Sequence, residues 1–349
     1  MTVTDPRREA RPPEAWPRDL SLAQQPTDQP VLRVTGLTRR FGSIVAVRDL
    51  SFEVRAGEVL AFLGPNGSGK STTVSMILGP IRPTAGRVEL YGHDVQKHPE
   101  VVAKSAGAII ENPAFYPYLS GRDNLRAFGK ALGNVSDARI DELLGLVRMR
   151  ERAGDKYKTY SLGMKQRLGI ALTLLQNPGL IILDEPTNGL DPAGQREIRD
   201  FIPDLARNGH AVLLASHLLN EVEHVSDRVI IIRRGELIQQ GRVRDLVRQG
   251  GVIEVRVEPR EVTPAVDAIR RIAGVTNIQP GGKEGAIVVS ADPQVGRDIN
   301  RALAGLGIYA SAVAPRANTL ENIFLELTEG SSPGEQEPAP RRRRLGRRS

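Results

Sequence analysis

Residues 64–71 read Gly-Pro-Asn-Gly-Ser-Gly-Lys-Ser and follow the pattern G-x-x-x-x-G-K-S. The residues before them, 59–63, form a short apolar run that is typical of a buried parallel strand. The residues after them, 71–78, have helical spacing and contain no early helix breaker. A strand, a glycine-rich loop and a helix in this order predict backbone N–H groups that surround phosphates at the positive end of a helix dipole. The sequence therefore predicts nucleotide binding at this loop.

The side chains of the loop have separate expected roles. Lys70 is expected to reach the β- and γ-phosphates, and Ser71 to hold Mg²⁺. The glycines allow the backbone to turn inward around the phosphates. A glycine-rich turn without a ligand is the alternative, and the Lys-Ser pair with its flanking strand and helix argues against it. The predicted nucleotide-binding residues of the loop are Gly64, Pro65, Asn66, Gly67, Ser68, Gly69, Lys70, Ser71 and Thr72.

A second buried strand is predicted at residues 179–183, and it ends in two acids, Asp184 and Glu185. Adjacent acids usually lie on a surface, but these terminate an apolar strand and precede Pro186. Asp184 is the expected support for the metal ion. Glu185 is the expected group that orients or deprotonates the attacking water.

Three isolated positions allow both a functional and a structural interpretation. Phe41 lies just upstream of the loop and would stack on a purine base or simply pack against the protein. Ser161 is a plausible N-cap of a helix whose start would point at an anion. His217 follows a predicted buried strand, 211–215, at the end of the sheet where ligands bind, although a structural histidine fits the position equally well.

Composition and charge restrict the class of protein. The chain has 349 residues, of which 40% are hydrophobic and 26% are charged, as in ordinary globular proteins. No stretch approaches the roughly 20 apolar residues of a membrane helix, residues 1–30 lack the apolar core of a secretory signal, and there are no cysteines. The net charge of +7 is due mostly to six arginines in residues 341–349, so no folded basic face is indicated. That tail would contact anionic lipid or nucleic acid, or act only as a disordered solubilising end.

The predicted organisation is an α/β core followed by a smaller unit. Residues 1–30 are expected to be a disordered lead, residues 31–250 a nucleotide-binding domain, residues 251–330 an accessory domain and residues 331–349 a disordered tail. In the core, strands at 31–34 and 50–54 are separated by a turn at 38–42, and a helix pair at 125–132 and 138–149 forms a helical insertion. The accessory domain has the order βαββαβ, with its last strand at 308–313, and is followed by an amphipathic helix at 320–327.

Taken together, these motifs resemble the ATP-binding subunit of an ABC transporter, which is a P-loop NTPase, over residues 31–249. Residues 64–71 are similar to the Walker A motif and residues 180–185 to the Walker B motif with its catalytic glutamate. Residues 160–166 are similar to the signature motif, and residues 189–192 to the D-loop. The resemblance implies catalytic roles for Glu185 and His217, base stacking by Phe41, and nucleotide contacts by Ser161, Gly163 and Asp191.

The sequence departs from this family pattern at two places. The signature motif keeps Ser161 and Gly163 but has Leu162 and Met164 where glycine and glutamine are usual. Glu111 stands where the family has a glutamine that contacts the nucleotide and Mg²⁺, and its charge would bind Mg²⁺ more tightly but repel phosphate. Residues 111–117, Glu-Asn-Pro-Ala-Phe-Tyr-Pro, resemble the branch that exports peptide antibiotics, including bacitracin- and lantibiotic-type exporters.

The resemblance implies a transport ATPase that uses ATP and Mg²⁺ to power export of a drug, peptide antibiotic or lipid-like substrate. It further implies a head-to-tail pair of ATPase copies and separate integral membrane permease subunits that hold the pair at the cytoplasmic face of the cell membrane. Residues 111–120 are the predicted permease contact, and no nucleic-acid partner is expected. The alternatives are a soluble ABC ATPase that acts on nucleic acid or ribosomes through the arginine tail, and an importer subunit.

Overall fold

The computed structural model describes residues 29–110, 114–249, 251–281, 284–316 and 319–329. The predictions made for Glu111, for residues 1–28 and for the arginine tail lie outside the described residues. Within the described ranges, no helix combines the length and the apolar composition needed to cross a bilayer.

The first layer is an antiparallel sheet with the strand order β2-β1-β4-β5. Its strands are β1 (Leu32–Phe41), β2 (Ile44–Val54), β4 (Ala85–Leu90) and β5 (His93–Asp94). The predicted turn at 38–42 is wrong, because β1 continues through Phe41 and pairs with β2 up to Ile44. Register shifts between Val34 and Leu37 and between Leu37 and Arg39 interrupt the alternation of buried and exposed residues, which hid the strand in the sequence.

The second layer is a six-stranded sheet with the order β10-β9-β3-β8-β7-β6. Its strands are β3 (Val59–Leu63), β6 (Ala106–Ile109), β7 (Leu180–Asp184), β8 (Ala211–Ala215), β9 (Arg228–Arg233) and β10 (Glu236–Arg242). Every pair is parallel except β9 with β10. All residues of β3, β7 and β8 are buried, which explains their continuous apolar sequences. Because β8 lies between β3 and β7, the segments that follow these three strands meet at one edge of the sheet.

Helices flank the two sheets. They are α1 (Lys70–Ile77), α2 (Pro99–Ser105), α3 (Gly121–Ala131), α4 (Asp137–Leu146), α5 (Leu162–Thr173), α6 (Pro192–Arg207), α7 (Leu219–Val225) and α8 (Val243–Gln249). The predicted helix pair corresponds to α3 and α4, whose N-caps are Ser120 and Ser136. The sequence analysis assigned no helix to α6, which starts at one proline and contains a second, Pro203. Prolines in a helix interior usually indicate a break, so the sequence signal was misleading there.

The smaller unit has the predicted βαββαβ order. Its elements are β11 (Val252–Arg256), α9 (Val262–Ile269), β12 (Asn277–Pro280), β13 (Ala286–Ser290), α10 (Gly296–Ala304) and β14 (Ala312–Arg316). The four strands form an antiparallel sheet in the order β12-β13-β11-β14. The expected start of the last strand at residue 308 is wrong, because the Ile308 N–H caps α10 by donating to the carbonyl oxygen of Leu303, 3.0 Å away. Ile308 is instead buried in the core of this unit.

The last described helix, α11 (Leu320–Glu329), packs on the core of the first unit, although it follows the smaller unit in the chain. It contacts α7 and α8. Leu320 is fully buried in the core shared with the six-stranded sheet, and its backbone N–H donates to Oε2 of Glu223 on α7, 2.9 Å away. The chain therefore leaves the first unit at α8, forms the smaller unit, and returns to the first unit with α11.

Candidate active site

The glycine-rich loop is held tightly against its neighbours. A Cβ atom on Gly64 would lie 2.6 Å from the carbonyl oxygen of Ile232 on β9. At Gly69 the φ angle is 105°, and a Cβ atom would lie 2.6 Å from the carbonyl oxygen of Ala46 on β2. Both positions require glycine, because the added carbon would clash and Gly69 has a left-handed backbone. The loop is thus fixed by both sheets.

The loop borders a cleft of about 660 Å³, within the range usual for ligand sites. The cleft is lined by Ala46, Asn66, Gly67, Ser68, Gly69, Lys70, Ser71, Thr72, Leu162, Gln166, Asp184, Glu185, Asn188 and Gly189. The predicted loop residues therefore face the cleft, except Gly64, which is buried behind it, and Pro65, which is exposed outside it.

Lys70 places a largely buried positive charge at the cleft. Its Nζ atom donates to the carbonyl oxygen of Gly64 at 2.5 Å and lies 3.4 Å from that of Pro65. Burial lowers the pKa of the Lys70 ammonium, and the negative charges of Glu185 and Asp184 partly offset that effect. An ammonium group surrounded by loop carbonyls and two acids favours an anionic ligand with a metal cation beside it.

The oxygen donors at the cleft fit a magnesium ion. Asp184 ends β7 as a buried carboxylate, and Ser71 presents an exposed hydroxyl from the first turn of α1. No group of three or more His, Cys, Asp or Glu residues forms a metal cluster in the described part of the chain. Mg²⁺ does not require one, because it commonly binds one or two protein oxygens and completes its shell with water and phosphate. The hydroxyl and the carboxylate therefore suit that ion.

Glu185 and His217 are brought together from the ends of β7 and β8. The Nδ1 atom of His217 lies 2.7 Å from Oε2 of Glu185, and the His217 backbone N–H lies 3.4 Å from the same oxygen. Glu185 has a left-handed φ angle of 50°, and its N–H donates to the carbonyl oxygen of Ala215 at 2.8 Å. A non-glycine residue in this conformation is uncommon and is often found at functional sites, where the surroundings hold it in place.

The predicted signature residues border a different cleft. Ser161 caps α5, as predicted, by accepting a hydrogen bond from the Met164 N–H at 3.3 Å. Asp191 caps α6 by accepting from the Gly194 N–H at 3.2 Å. Ser161, Gly163 and Asp191 all line an adjacent cleft of about 290 Å³. None of these three lines the cleft that contains Lys70.

Phe41 lies at the end of β1 with 43% of its surface exposed. The Arg39 guanidinium lies 4.4 Å from the centre of its ring and covers one face. Phe41 pairs with Ile44 across the hairpin, and Ala46, two residues further on, lines the Lys70 cleft. The ring is therefore near the cleft but does not line it.

The sequence analysis missed several residues at this site. Gln166 is nearly fully buried, lines the Lys70 cleft, and has no hydrogen-bond partner for Oε1 within the described residues. Thr187 donates to Oε2 of Glu221 at 2.7 Å. Gln166 had no signal of its own in the sequence, since it lies between Lys165 and Arg167 and was noted only as the last residue of the signature-like stretch 160–166. Nothing in the sequence indicated the pairing of Thr187 with Glu221, which lie 34 residues apart.

A phosphate loop at the end of a parallel strand, with two acids at the end of a second strand and a histidine after a third, defines a P-loop ATPase. The family model described as ABC transporter matches residues 47–188. The chain is 40% identical over 303 residues to the uncharacterized ABC transporter ATP-binding protein YdbJ of Bacillus subtilis (strain 168), covering 86% of this chain and 96% of that protein.

Two further comparisons agree. The chain is 42% identical over 211 residues to the bacitracin transport ATP-binding protein BcrA of Bacillus licheniformis, covering 60% of this chain and 69% of that protein. A solved structure of the ATP-binding subunit of an ABC transporter superimposes with a TM-score of 0.57 at 31% identity, covering 63% of this chain and 92% of that one. The chain belongs to the ABC transporter family as an ATP-binding, ATP-hydrolysing subunit. Such subunits of transporters work together with membrane permease components.

Proposed function

We propose that this chain hydrolyses ATP to power an exporter of peptide antibiotics or related drugs through separate permease subunits. The ATPase part rests on three side chains that line one cleft, Lys70, Asp184 and Glu185. It also rests on the hydrogen bond between His217 and Glu185. The similarity to the bacitracin transport protein BcrA supports the exporter part and the class of substrate.

In the proposed reaction, the loop N–H groups and Lys70 bind the phosphates of ATP. Glu185 orients the attacking water and accepts its proton, while the hydrogen bond from His217 fixes the carboxylate. Ser71 and Asp184 would hold Mg²⁺, whose positive charge would offset that of the phosphates. Glu111 is proposed as a further contact to the nucleotide and the metal, and Phe41 as the surface on which the base stacks.

A second copy of the chain is proposed to complete the site. Ser161 and Gly163 lie at the start of α5, where the helix dipole favours an anion, yet they line the cleft without Lys70. A head-to-tail pair would bring the α5 start of one copy to the phosphates held by the other. Such a pair would explain why the N-terminus of α5, which suits a phosphate, does not lie beside the phosphate loop of the same chain.

The loop that precedes α3 is the proposed contact for the permease. Tyr116 and Tyr118 are 57% and 74% exposed, an unusual concentration of exposed aromatic surface. The loop is held in shape by the buried side chain of Asn124, which accepts from the Tyr116 N–H at 2.8 Å and donates to the carbonyl oxygen of Tyr116 at 3.1 Å. A rigid loop that presents aromatic side chains suits a protein contact, and this contact would keep the chain at the cytoplasmic face of the membrane.

The exporter proposal is tested in two steps. The tagged full chain is first isolated to identify the membrane subunits that bind it. The chain and these subunits are then expressed together in an antibiotic-sensitive bacterium. We expect a raised inhibitory concentration of a bacitracin-type peptide with the wild-type chain but not with Glu185→Gln. Substituting both Tyr116 and Tyr118 by alanine should reduce recovery of the membrane subunits while ATP binding is retained. Recovery of ribosomes or nucleic acid in place of membrane proteins would contradict the proposal.

A further inference from the structure

Two side-chain hydrogen bonds join the loop after β7 to the segment after β8. The first joins His217 to Glu185, as described above. The second joins Thr187, two residues after Glu185, to Glu221, four residues after His217. The Thr187 hydroxyl donates to Oε2 of Glu221 at 2.7 Å, and Thr187 is 2% exposed. The two segments are therefore fixed to each other at two points, one at the reactive carboxylate itself and one two residues after Glu185.

We propose that Glu221 is a positioning residue for hydrolysis, which acts on Glu185 through Thr187. The inference rests on the proposed role of Glu185 as the group that activates water. Glu221 itself does not line the Lys70 cleft, so its effect is transmitted by the hydrogen bond to Thr187 and by the turn that contains both Thr187 and Glu185.

The turn after β7 shows how the effect reaches Glu185. The Asn188 N–H donates to the carbonyl oxygen of Glu185 at 3.1 Å, and the Leu190 N–H donates to that of Thr187 at 3.2 Å. Glu185 itself has the left-handed φ angle of 50°, which persists only where neighbouring contacts hold it. The side-chain bond of Thr187 is one of those contacts.

Helix α7, which carries Glu221, is held in place by packing and by a hydrogen bond. Its Val222 is fully buried in the core of the first unit, and its Glu223 accepts the N–H of Leu320 at the start of α11. Glu221 is thus presented by a helix that is packed on one side by the sheet and on another by α11. A displacement of about 1 Å in a catalytic group can reduce a rate a hundredfold, so a fixed base of this kind matters for turnover.

The test removes the hydroxyl of Thr187 without changing the shape of its side chain. Thr187→Val should lower kcat for ATP about tenfold, the expected effect of one lost hydrogen bond, and leave KM within about twofold. Thr187→Ser keeps the hydroxyl and should restore kcat. Glu221→Leu should behave like Thr187→Val, and Glu221→Gln should retain most activity because its amide oxygen still accepts. Asn220→Ala, at an exposed residue of α7, is the control and should leave kcat unchanged.

A double variant decides whether the two residues act as one unit. Thr187→Val combined with Glu221→Leu should lower kcat no further than either change alone. Wild-type kcat in Thr187→Val, no restoration by Thr187→Ser, or additive losses in the double variant would each overturn the inference. Wild-type turnover in Glu185→Gln would instead overturn the proposed role of Glu185, so the two failures are distinguishable. All variants are made in the full chain, with thermal unfolding recorded for each.

Discussion

His217 and Glu185, which come from the ends of two different strands, are joined by a hydrogen bond of 2.7 Å between Nδ1 and Oε2. Because a carboxylate oxygen can only accept, Nδ1 carries the proton that it donates to Glu185. The pair therefore links the orientation of the carboxylate to the position of the segment after β8.

Replacement of Glu185 by glutamine should nearly abolish ATP turnover while ATP binding is retained. The amide cannot accept a proton from water, and loss of a general base typically lowers a rate by about 10²–10⁴-fold. Turnover by phosphate release and affinity by calorimetry check the two parts. Glu236→Gln, on the surface of β10 in an ion pair with Arg48, is the control and should retain wild-type turnover. Turnover within twofold of wild type in Glu185→Gln would show that another group activates the water.

Replacement of His217 by alanine should lower kcat by about 10- to 100-fold, because the carboxylate of Glu185 loses its side-chain donor. Steady-state kinetics over a range of ATP concentrations measure the effect. His224→Ala is a suitable control, since His224 is an exposed histidine on the adjacent helix α7. An equal loss in both variants would indicate general damage to α7 and not the loss of this hydrogen bond.

The stability of the protein should fall on mild acidification because of His210. Burial lowers the pKa of this imidazole to about 4, with the Arg139 charge adding to the shift and the hydrogen bond to the Pro178 carbonyl opposing it. The unfolded chain, with a pKa near the ordinary 6.5, therefore binds the proton first as the pH falls. The free energy of unfolding should decrease by about 3 kcal/mol between pH 6.5 and pH 4 from this group.

Urea unfolding at several pH values measures this dependence. His210→Gln should flatten the curve between pH 6.5 and pH 4, whereas His224→Gln, at an exposed histidine, should leave it as in the wild type. An unchanged slope in His210→Gln would mean that other groups cause the acid sensitivity.

Helix α11 should contribute directly to the stability of the ATP-binding unit. Leu320→Ala removes a fully buried side chain from the core of that unit and should lower the free energy of unfolding by about 2–5 kcal/mol. Leu325→Ala changes a residue on the same helix that is 40% exposed and should cost less than about 1 kcal/mol. Urea unfolding of both variants gives the comparison, and equal costs would contradict the packing of Leu320.

The phosphate loop and the buried strands were predictable because each depends on local sequence. The continuous apolar runs that became β3, β7 and β8 indicated strands buried on both faces, and their ends placed Lys70, Asp184 and His217 at one edge of the sheet. The βαββαβ order of the smaller unit was predictable for the same reason, since its turns and periodicity are local.

Two elements were missed because their local sequence was misleading, and several contacts were missed because their partners are distant in sequence. The length of β1 was hidden by its bulges, and α6 by its prolines. The pairing of Thr187 with Glu221 and the capping of Leu320 by Glu223 bring together residues 34 and 97 positions apart, which no local pattern indicates. The packing of α11 on the first unit was likewise not predictable, because the sequence of an amphipathic helix does not specify which apolar surface it covers.

The return of α11 attaches the smaller unit at two points. Its first strand, β11, follows α8 almost directly, and its last strand, β14, is followed by α11, which is packed on α7 and α8. A unit that is connected to a domain at one end can change its orientation freely. A unit connected at both ends moves only if one of its two connections bends or detaches. A molecule that displaces the smaller unit by detaching α11 would also remove packing from α7, the helix that begins two residues after His217, and so disturb the histidine that is hydrogen-bonded to Glu185.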